Sequence, residues 1–187
     1  EAYGQVDDAR IGTTLQKAVE LIVSAQKRNS MGAWRYTPDS IDADTTVSGA
    51  CLVALFAAAN AGIKVPDESI KKALDFFRSS QCPDGGIGYV GPDNSNMIRT
   101  GIGALAFALA KEKKTAPYLK TMDYLSSRAA EENNNNYLFY GLYYLSQASF
   151  HSNNADWNKW NLSNIKFLTE AQNQDGSWQS ELGAEFS

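Results

Sequence analysis

A unit of roughly fifty residues recurs along this chain, and this recurrence constrains the fold more than any other feature of the sequence. Each copy is an amphipathic helical pattern that ends in glutamine and continues into a glycine turn with an aromatic or bulky residue after it. Gln26, Gln81 and Gln172 mark three copies, and Arg128 takes the same place in a weaker one. Repeats of this length are typical of chains in which one supersecondary unit stacks on the next. We therefore expect an array of similar units.

A second, more apolar helical pattern follows each of the first copies. These second helices are predicted near residues 46–61, 97–110 and 137–150. Their apolar character extends nearly all round, which indicates burial on both sides, whereas the first helix of each pair has a charged face that is typical of solvent exposure. Small residues recur at one aligned position and would let neighbouring helices approach closely: Gly49, Gly101 and Gly141. The pattern predicts an outer helix and an inner helix in each unit, and no strands.

The fold class that follows is all-α, built from helix-pair repeats. We place a lead segment at residues 1–14, helix pairs at 15–66, 67–117 and 118–160, and a lone outer helix at 161–187.

Composition excludes some classes of partner. The 187 residues are 43% hydrophobic and 20% charged, with a formal net charge of −4. A mildly acidic chain with scattered charges gives no electrostatic reason to expect nucleic acid as a partner. Its longest apolar run, within residues 50–59, is too short for a transmembrane segment. Nothing in the sequence assigns a cellular compartment.

The marker motif resembles the QW motif of the terpenoid cyclase superfamily, which includes squalene–hopene cyclases and protein prenyltransferases. FLTEAQNQDGSW at 167–178 is a near-complete copy, DFFRSSQCPDGGIGY at 75–89 has Ile87 in place of tryptophan, and SAQKRNSMGAW at 24–34 has a longer turn. We expect the glutamine to reach unpaired backbone groups at the start of the next inner helix, with the aromatic ring packed over the junction.

The resemblance implies an α/α toroid, a ring of helix pairs around a central cavity. With three pairs and a lone outer helix, we expect a partial or open ring. Self-association or the remaining sequence of a longer parent protein would then complete it.

The same resemblance assigns a role to two carboxylates. DADTTV, which contains Asp42 and Asp44, aligns with the D-x-D-D-T-A motif of class II terpene cyclases. In that family the central acid protonates an alkene or epoxide, so Asp44 would be the acid and Asp42 the first carboxylate. Thr45 stands where the family has a third aspartate, which lowers the expected acid strength.

Helix capping is the favoured interpretation of the same residues. Five positions before the aligned glycines stand Asp44, Asn96 and Asn136, and seven positions before them stand Asp42, Asn94 and Asn134. All are good N-cap residues at points where the inner helices are predicted to begin. Asp44 would also favour the positive end of the helix dipole.

Three tyrosines on the third inner helix, Tyr137, Tyr140 and Tyr144, fall on one face at helical spacing. In a toroid that face would line the cavity, where the rings could hold an isoprenoid chain or stabilise a cation. Ordinary core packing is the alternative interpretation.

No metal site or cofactor is expected. Prenyltransferase β subunits bind zinc with a D-x-C element that this chain lacks, and its only histidine, His151, lies in a polar segment after the third inner helix. We interpret Trp157 and Trp160 in the same region as anchors for a loop.

Two functions of different classes follow. The first is an enzyme that handles an isoprenoid or other hydrophobic substrate by acid-initiated chemistry. The alternative is a non-catalytic helical-repeat module that binds a hydrophobic small molecule or a peptide. Polysaccharide cleavage, found in other α/α barrels, is a third, for which the only candidate carboxylate pair is Asp42 and Asp44.

Overall fold

The structure is a computed structural model that describes residues 3–128 and 137–179. Within these residues the helices are α1 (Ala9–Arg28), α2 (Thr45–Asn60), α3 (Asp67–Ser79), α4 (Met97–Leu109), α5 (Ala116–Ser127), α6 (Leu138–Phe150) and α7 (Asn154–Ala171). Pairing of β type in the described ranges is limited to isolated bridges, such as the one between Gln81 and Ile87. The predicted all-α class is confirmed.

Helices α2, α4 and α6 are the predicted inner helices. Each begins and ends within one residue of the predicted bounds. α4 packs against both α2 and α6, while α3 and α5 also contact α4. Outer helices α1 and α3 pack on α2, and α7 packs on α6. The core lies between the inner and outer helices, with α4 at its centre, where nearly every side chain is buried.

The aligned glycines are the points where inner helices approach each other. A Cβ atom placed on Gly49 of α2 would lie 2.1 Å from Ile102 of α4, and one on Gly101 would lie 2.8 Å from Leu145 of α6. A Cβ atom placed on Gly141 of α6 would lie 3.1 Å from the side chain of Ile98 of α4. The predicted role of these small residues in close helix packing is confirmed.

The marker glutamines join different elements from those predicted. Gln26 Nε2 donates to the carbonyl oxygens of Gly32 in its own turn, at 2.7 Å, and Ser69 in α3, at 2.8 Å. Gln81 Nε2 repeats this with Gly85, at 3.1 Å, and Pro117 in α5, at 2.9 Å. The partner is therefore the next outer helix, and the expectation of an inner-helix partner was wrong. Unpaired groups at a helix start are N–H donors, whereas the glutamine uses its own amide N–H groups and needs carbonyls.

Two helices begin earlier than the repeat boundaries suggest. α1 starts at Ala9, after Asp8 accepts a hydrogen bond from Arg10 N, inside the predicted lead segment. α7 starts at Asn154, after Asn153 Oδ1 accepts from Ala155 N at 3.0 Å.

The loop interpretation of Trp157 and Trp160 was consequently wrong, because both residues lie in α7. Trp160 Nε1 donates to Ser146 Oγ of α6 at 2.9 Å, and the Trp157 ring packs edge-on against Phe150. Both tryptophans therefore fasten α7 to α6. His151 is partly exposed at the end of α6, and burial is the main cause that lowers its pKa.

No helix in the described part of the chain is both long and apolar enough to span a membrane.

Candidate functional site

The N-terminal ends of the three inner helices border one cavity of about 660 Å³. Its wall is mainly apolar and aromatic, and five tyrosines contribute to it: Tyr36, Tyr89, Tyr137, Tyr140 and Tyr144. Thr46, Val47 and Ala50 of α2 also line it, together with Ile98 and Arg99 of α4 and Asn96, the N-cap of α4. A cavity of this size and character is typical of a site for a small, largely apolar ligand.

The structure brings together the three tyrosines predicted from helical spacing. Tyr144 is buried, whereas Tyr137 and Tyr140 are 54% and 40% exposed. The Tyr140 and Tyr144 rings meet edge-to-face with centroids 4.9 Å apart. Burial is the main cause that raises the pKa of Tyr140 and of Tyr144, so both phenols stay neutral at ordinary pH.

Two further tyrosines complete the wall from the turns that follow α1 and α3. The hydroxyl groups of Tyr36 and Tyr89 lie 3.2 Å apart, within hydrogen-bond distance. This hydrogen bond, then burial, then the charge of Asp44 raise the pKa of Tyr89 to about 12. The guanidinium of Arg35 lies over both rings, 5.5 Å from the centroid of Tyr36 and 5.3 Å from that of Tyr89.

Asp44 is fully buried at the start of α2, and its two oxygens have different surroundings. Oδ1 accepts hydrogen bonds from Thr46 N and Val47 N, both at 2.8 Å, and from Thr46 Oγ1 at 2.5 Å. Asp44 is therefore the N-cap of α2, as the capping interpretation predicts. Oδ2 has no hydrogen-bond partner, and Arg35 Nε lies 3.6 Å from it.

Asp42 lies beside the same arginine but is exposed. Its Oδ2 is 3.3 Å from Arg35 Nη1, and 58% of its side chain is open to solvent. The two carboxylates therefore share one guanidinium, which neutralises part of their charge. This arrangement differs from a pair of carboxyl groups that share a proton.

Of the other asparagines predicted as helix caps, only Asn94 and Asn96 lie within the described residues. Asn96 Oδ1 accepts from Arg99 N at 2.9 Å and caps α4, as predicted. Asn94 lies in the preceding turn with a positive φ of 49°. Asn134 and Asn136 lie outside the described residues.

Sequence reasoning missed Tyr36, Tyr89, Arg35 and Arg99. One signal could have found the two tyrosines, because each stands two residues after the position of the motif aromatic, in GAWRY and in GGIGY. No comparable pattern marks the arginines: Arg99 lines the cavity, and Arg35 lies against the rings of Tyr36 and Tyr89.

Among the described residues, no group of three or more histidine, cysteine, aspartate or glutamate side chains could hold a metal ion. The chain matches no protein-family model, and no characterised protein matches its sequence.

Proposed function

We propose that this protein binds an isoprenoid or similar hydrophobic ligand in the tyrosine-lined cavity, and that its helix pairs are arranged as in an α/α toroid. The observation that carries the proposal is the cavity of about 660 Å³, walled by five tyrosines and by apolar side chains of the inner helices. Aromatic rings supply a large apolar surface at small cost in conformational entropy, which suits a flexible hydrocarbon chain.

The helix contacts support the toroid arrangement and membership of the terpenoid cyclase superfamily. Inner helices contact each other in chain order, and outer helices pack behind them. Gln26 and Gln81 make matching contacts in the first two units, each to a carbonyl of its own turn and to one of the next outer helix. Trp34 and Trp178 each donate to a carbonyl of their own outer helix. Gly32, Gly85 and Gly176 all have positive φ in the turn, at 69°, 90° and 87°.

A direct binding experiment tests the ligand proposal. Farnesol, a neutral isoprenoid alcohol, is titrated into the protein by isothermal calorimetry. We expect Tyr140→Ala to weaken binding by about tenfold, because the ring is part of the cavity wall. Tyr143→Ala is the matched control, since Tyr143 is on the same helix but does not line the cavity and is 59% exposed. Absence of binding by the parent protein, or equal losses in the two variants, would contradict the proposal.

Acid-initiated chemistry on the bound ligand is a second candidate, with Asp44 as the acid. The observation in its favour is the buried Oδ2 atom, which has no hydrogen-bond partner among the described residues. The position of Arg35 argues against an acid role for Asp44, because a guanidinium 3.6 Å from Oδ2 stabilises the negative carboxylate. Incubation of the protein with squalene and with linear isoprenyl diphosphates, followed by product analysis, tests this candidate. Products from the parent protein and none from Asp44→Asn would place Asp44 in the reaction.

A further inference from the structure

Arg99 places a positive charge in the wall of the cavity. It lies in the first turn of α4, is partly buried, and lines the same space as the five tyrosines. Its Nε donates to the carbonyl oxygen of Ile87 at 3.4 Å, and its Nη2 donates to that of Asn94. The guanidinium also lies 5.9 Å from the centroid of the Tyr89 ring. These contacts fix the side chain while leaving Nη1 without a hydrogen bond to any described residue.

No ion pair with a described residue neutralises the charge of Arg99. In residues 3–128 and 137–179, no carboxylate oxygen lies within 4 Å of its guanidinium, and Asp93, which acts on it electrostatically, is exposed. Arg35 differs, because it is paired with both Asp42 and Asp44. Burial lowers the pKa of Arg99, the direction expected for a cation that has lost water. An arginine nevertheless stays charged at any ordinary pH.

The surrounding helices add to this positive potential. α2, α4 and α6 all direct their N-terminal ends to the cavity, as residues of their first turns show. Each helix N-terminus has the effect of a partial positive charge, which favours an anion nearby. Among the described residues, the only buried carboxylate near this end of α2 is Asp44, whose Oδ1 already caps the helix and whose Oδ2 faces Arg35.

We infer that the ligand is an amphiphile with one carboxylate, which pairs with Arg99 while its hydrocarbon chain lies against the tyrosines. The inference rests on the proposed function and specifies its ligand. A carboxylate matches the planar guanidinium with two parallel N–H···O bonds. A single negative charge matches the single charge of Arg99, for which the described residues supply no carboxylate partner, whereas a diphosphate would bring several charges to the same cation.

A pair of ligands with the same chain tests this inference. Farnesoic acid and farnesol share the isoprenoid chain and differ in the carboxylate. At neutral pH we expect the parent protein to bind the acid roughly 10- to 100-fold more tightly, the range expected for a hydrogen bond to a charged group. Arg99→Gln should remove this preference, so that the variant binds the acid and farnesol with similar affinity, and circular dichroism checks that the variant is folded. Arg28→Gln is the control, because Arg28 is an exposed arginine paired with Asp39 and lies outside the cavity wall.

The outcomes separate the two proposals. If the parent protein binds neither ligand, the proposed function is wrong. If it binds both with equal affinity, or if Arg99→Gln keeps the preference for the acid, the cavity binds isoprenoids but the carboxylate inference is overturned. A third ligand, farnesyl diphosphate, is run beside them. Tighter binding of the diphosphate than of the acid, lost in Arg99→Gln, would replace the carboxylate with a diphosphate.

Discussion

Asp44 shows how one residue can carry a local and a tertiary role. Its Oδ1 bonds to backbone groups two and three positions along the chain, so the role is fixed by the local sequence and could be predicted from it. Its Oδ2 faces Arg35, nine positions earlier, and this contact forms only when the turn after α1 folds against the start of α2. The sequence therefore predicted the cap and missed the ion pair.

Substitution at Asp44 separates these two roles. Asp44→Asn keeps an oxygen for the cap and loses the ion pair, so we expect a loss of about 1–2 kcal/mol in the free energy of unfolding. The loss stays small because Arg35 keeps Asp42 as a partner. Asp44→Ala removes the cap as well and should cost roughly a further 0.5–2 kcal/mol. Urea denaturation measures both.

Asp42→Asn is the matched control for the ion pair. It removes a carboxylate from the same arginine, but this side chain is exposed and caps no helix, so we expect a loss below about 1 kcal/mol. Equal stability of Asp44→Asn and Asp44→Ala would contradict the capping role.

At the scale of the element, the motif that ends each marker helix makes repeated contacts. Trp34 Nε1 donates to the carbonyl of Ile22 in α1, and Trp178 Nε1 donates to that of Leu168 in α7, both at 2.8 Å. Trp34 N donates to Ser48 Oγ of α2, and Ile87 N donates to Thr100 Oγ1 of α4. The residue at the aromatic position therefore connects its outer helix to the following inner helix. The glutamine connects the same outer helix to the next outer helix.

Truncation of the two tryptophans should have unequal effects. Trp34 is 4% exposed in the core, so Trp34→Ala should cost roughly 3–5 kcal/mol. Trp178 is only partly buried, and we expect a clearly smaller loss from Trp178→Ala. Trp34→Phe keeps a ring but loses the hydrogen bond to Ile22, and is the control for that bond. Thermal melts that show equal, negligible losses at both sites would mean that these aromatics do not hold the helices together.

Close packing of inner helices gives a second prediction at this scale. Gly49→Ala would gain about 1 kcal/mol of helix propensity, but its methyl group would meet Ile102, which is 1% exposed. We expect a net loss of roughly 1–3 kcal/mol, measured by urea denaturation. Gly91→Ala is the control, since a Cβ there meets nothing within 4 Å. In the double variant Gly49→Ala/Ile102→Ala, the cost of the added methyl should disappear.

The bounds of the helices follow from local periodicity and caps, which is why the inner helices were predicted within one residue. The start of α7 was missed because its polar, asparagine-rich first turn was interpreted as a loop, although Asn153 supplies a cap there.

At the scale of the whole molecule, the cavity could be predicted only in part. Helical spacing places Tyr137, Tyr140 and Tyr144 on one face, and that face does line the cavity. Tyr89 and Arg99 come from a turn and from a different helix, and only the packing of α4 between α2 and α6 brings them to the same space. The lining residues come from distant parts of the sequence, so a search for contiguous motifs does not find the site.

The same architecture predicts an uneven distribution of local stability. α4 contacts α2, α3, α5 and α6, and almost all of its side chains are buried, whereas no described side chain of α7 is fully buried. Amide hydrogens exchange through local openings, which cost most where many buried contacts must break. We expect the slowest exchange in α4 and much faster exchange in α7, measured by hydrogen exchange with mass spectrometry. Leu105→Ala, in the core of α4, should speed exchange in the neighbouring helices as well, while Trp178→Ala should act only on α7 and its turn. Equal protection of α4 and α7 would mean that the chain unfolds as a single unit, without the graded coupling expected of stacked repeats.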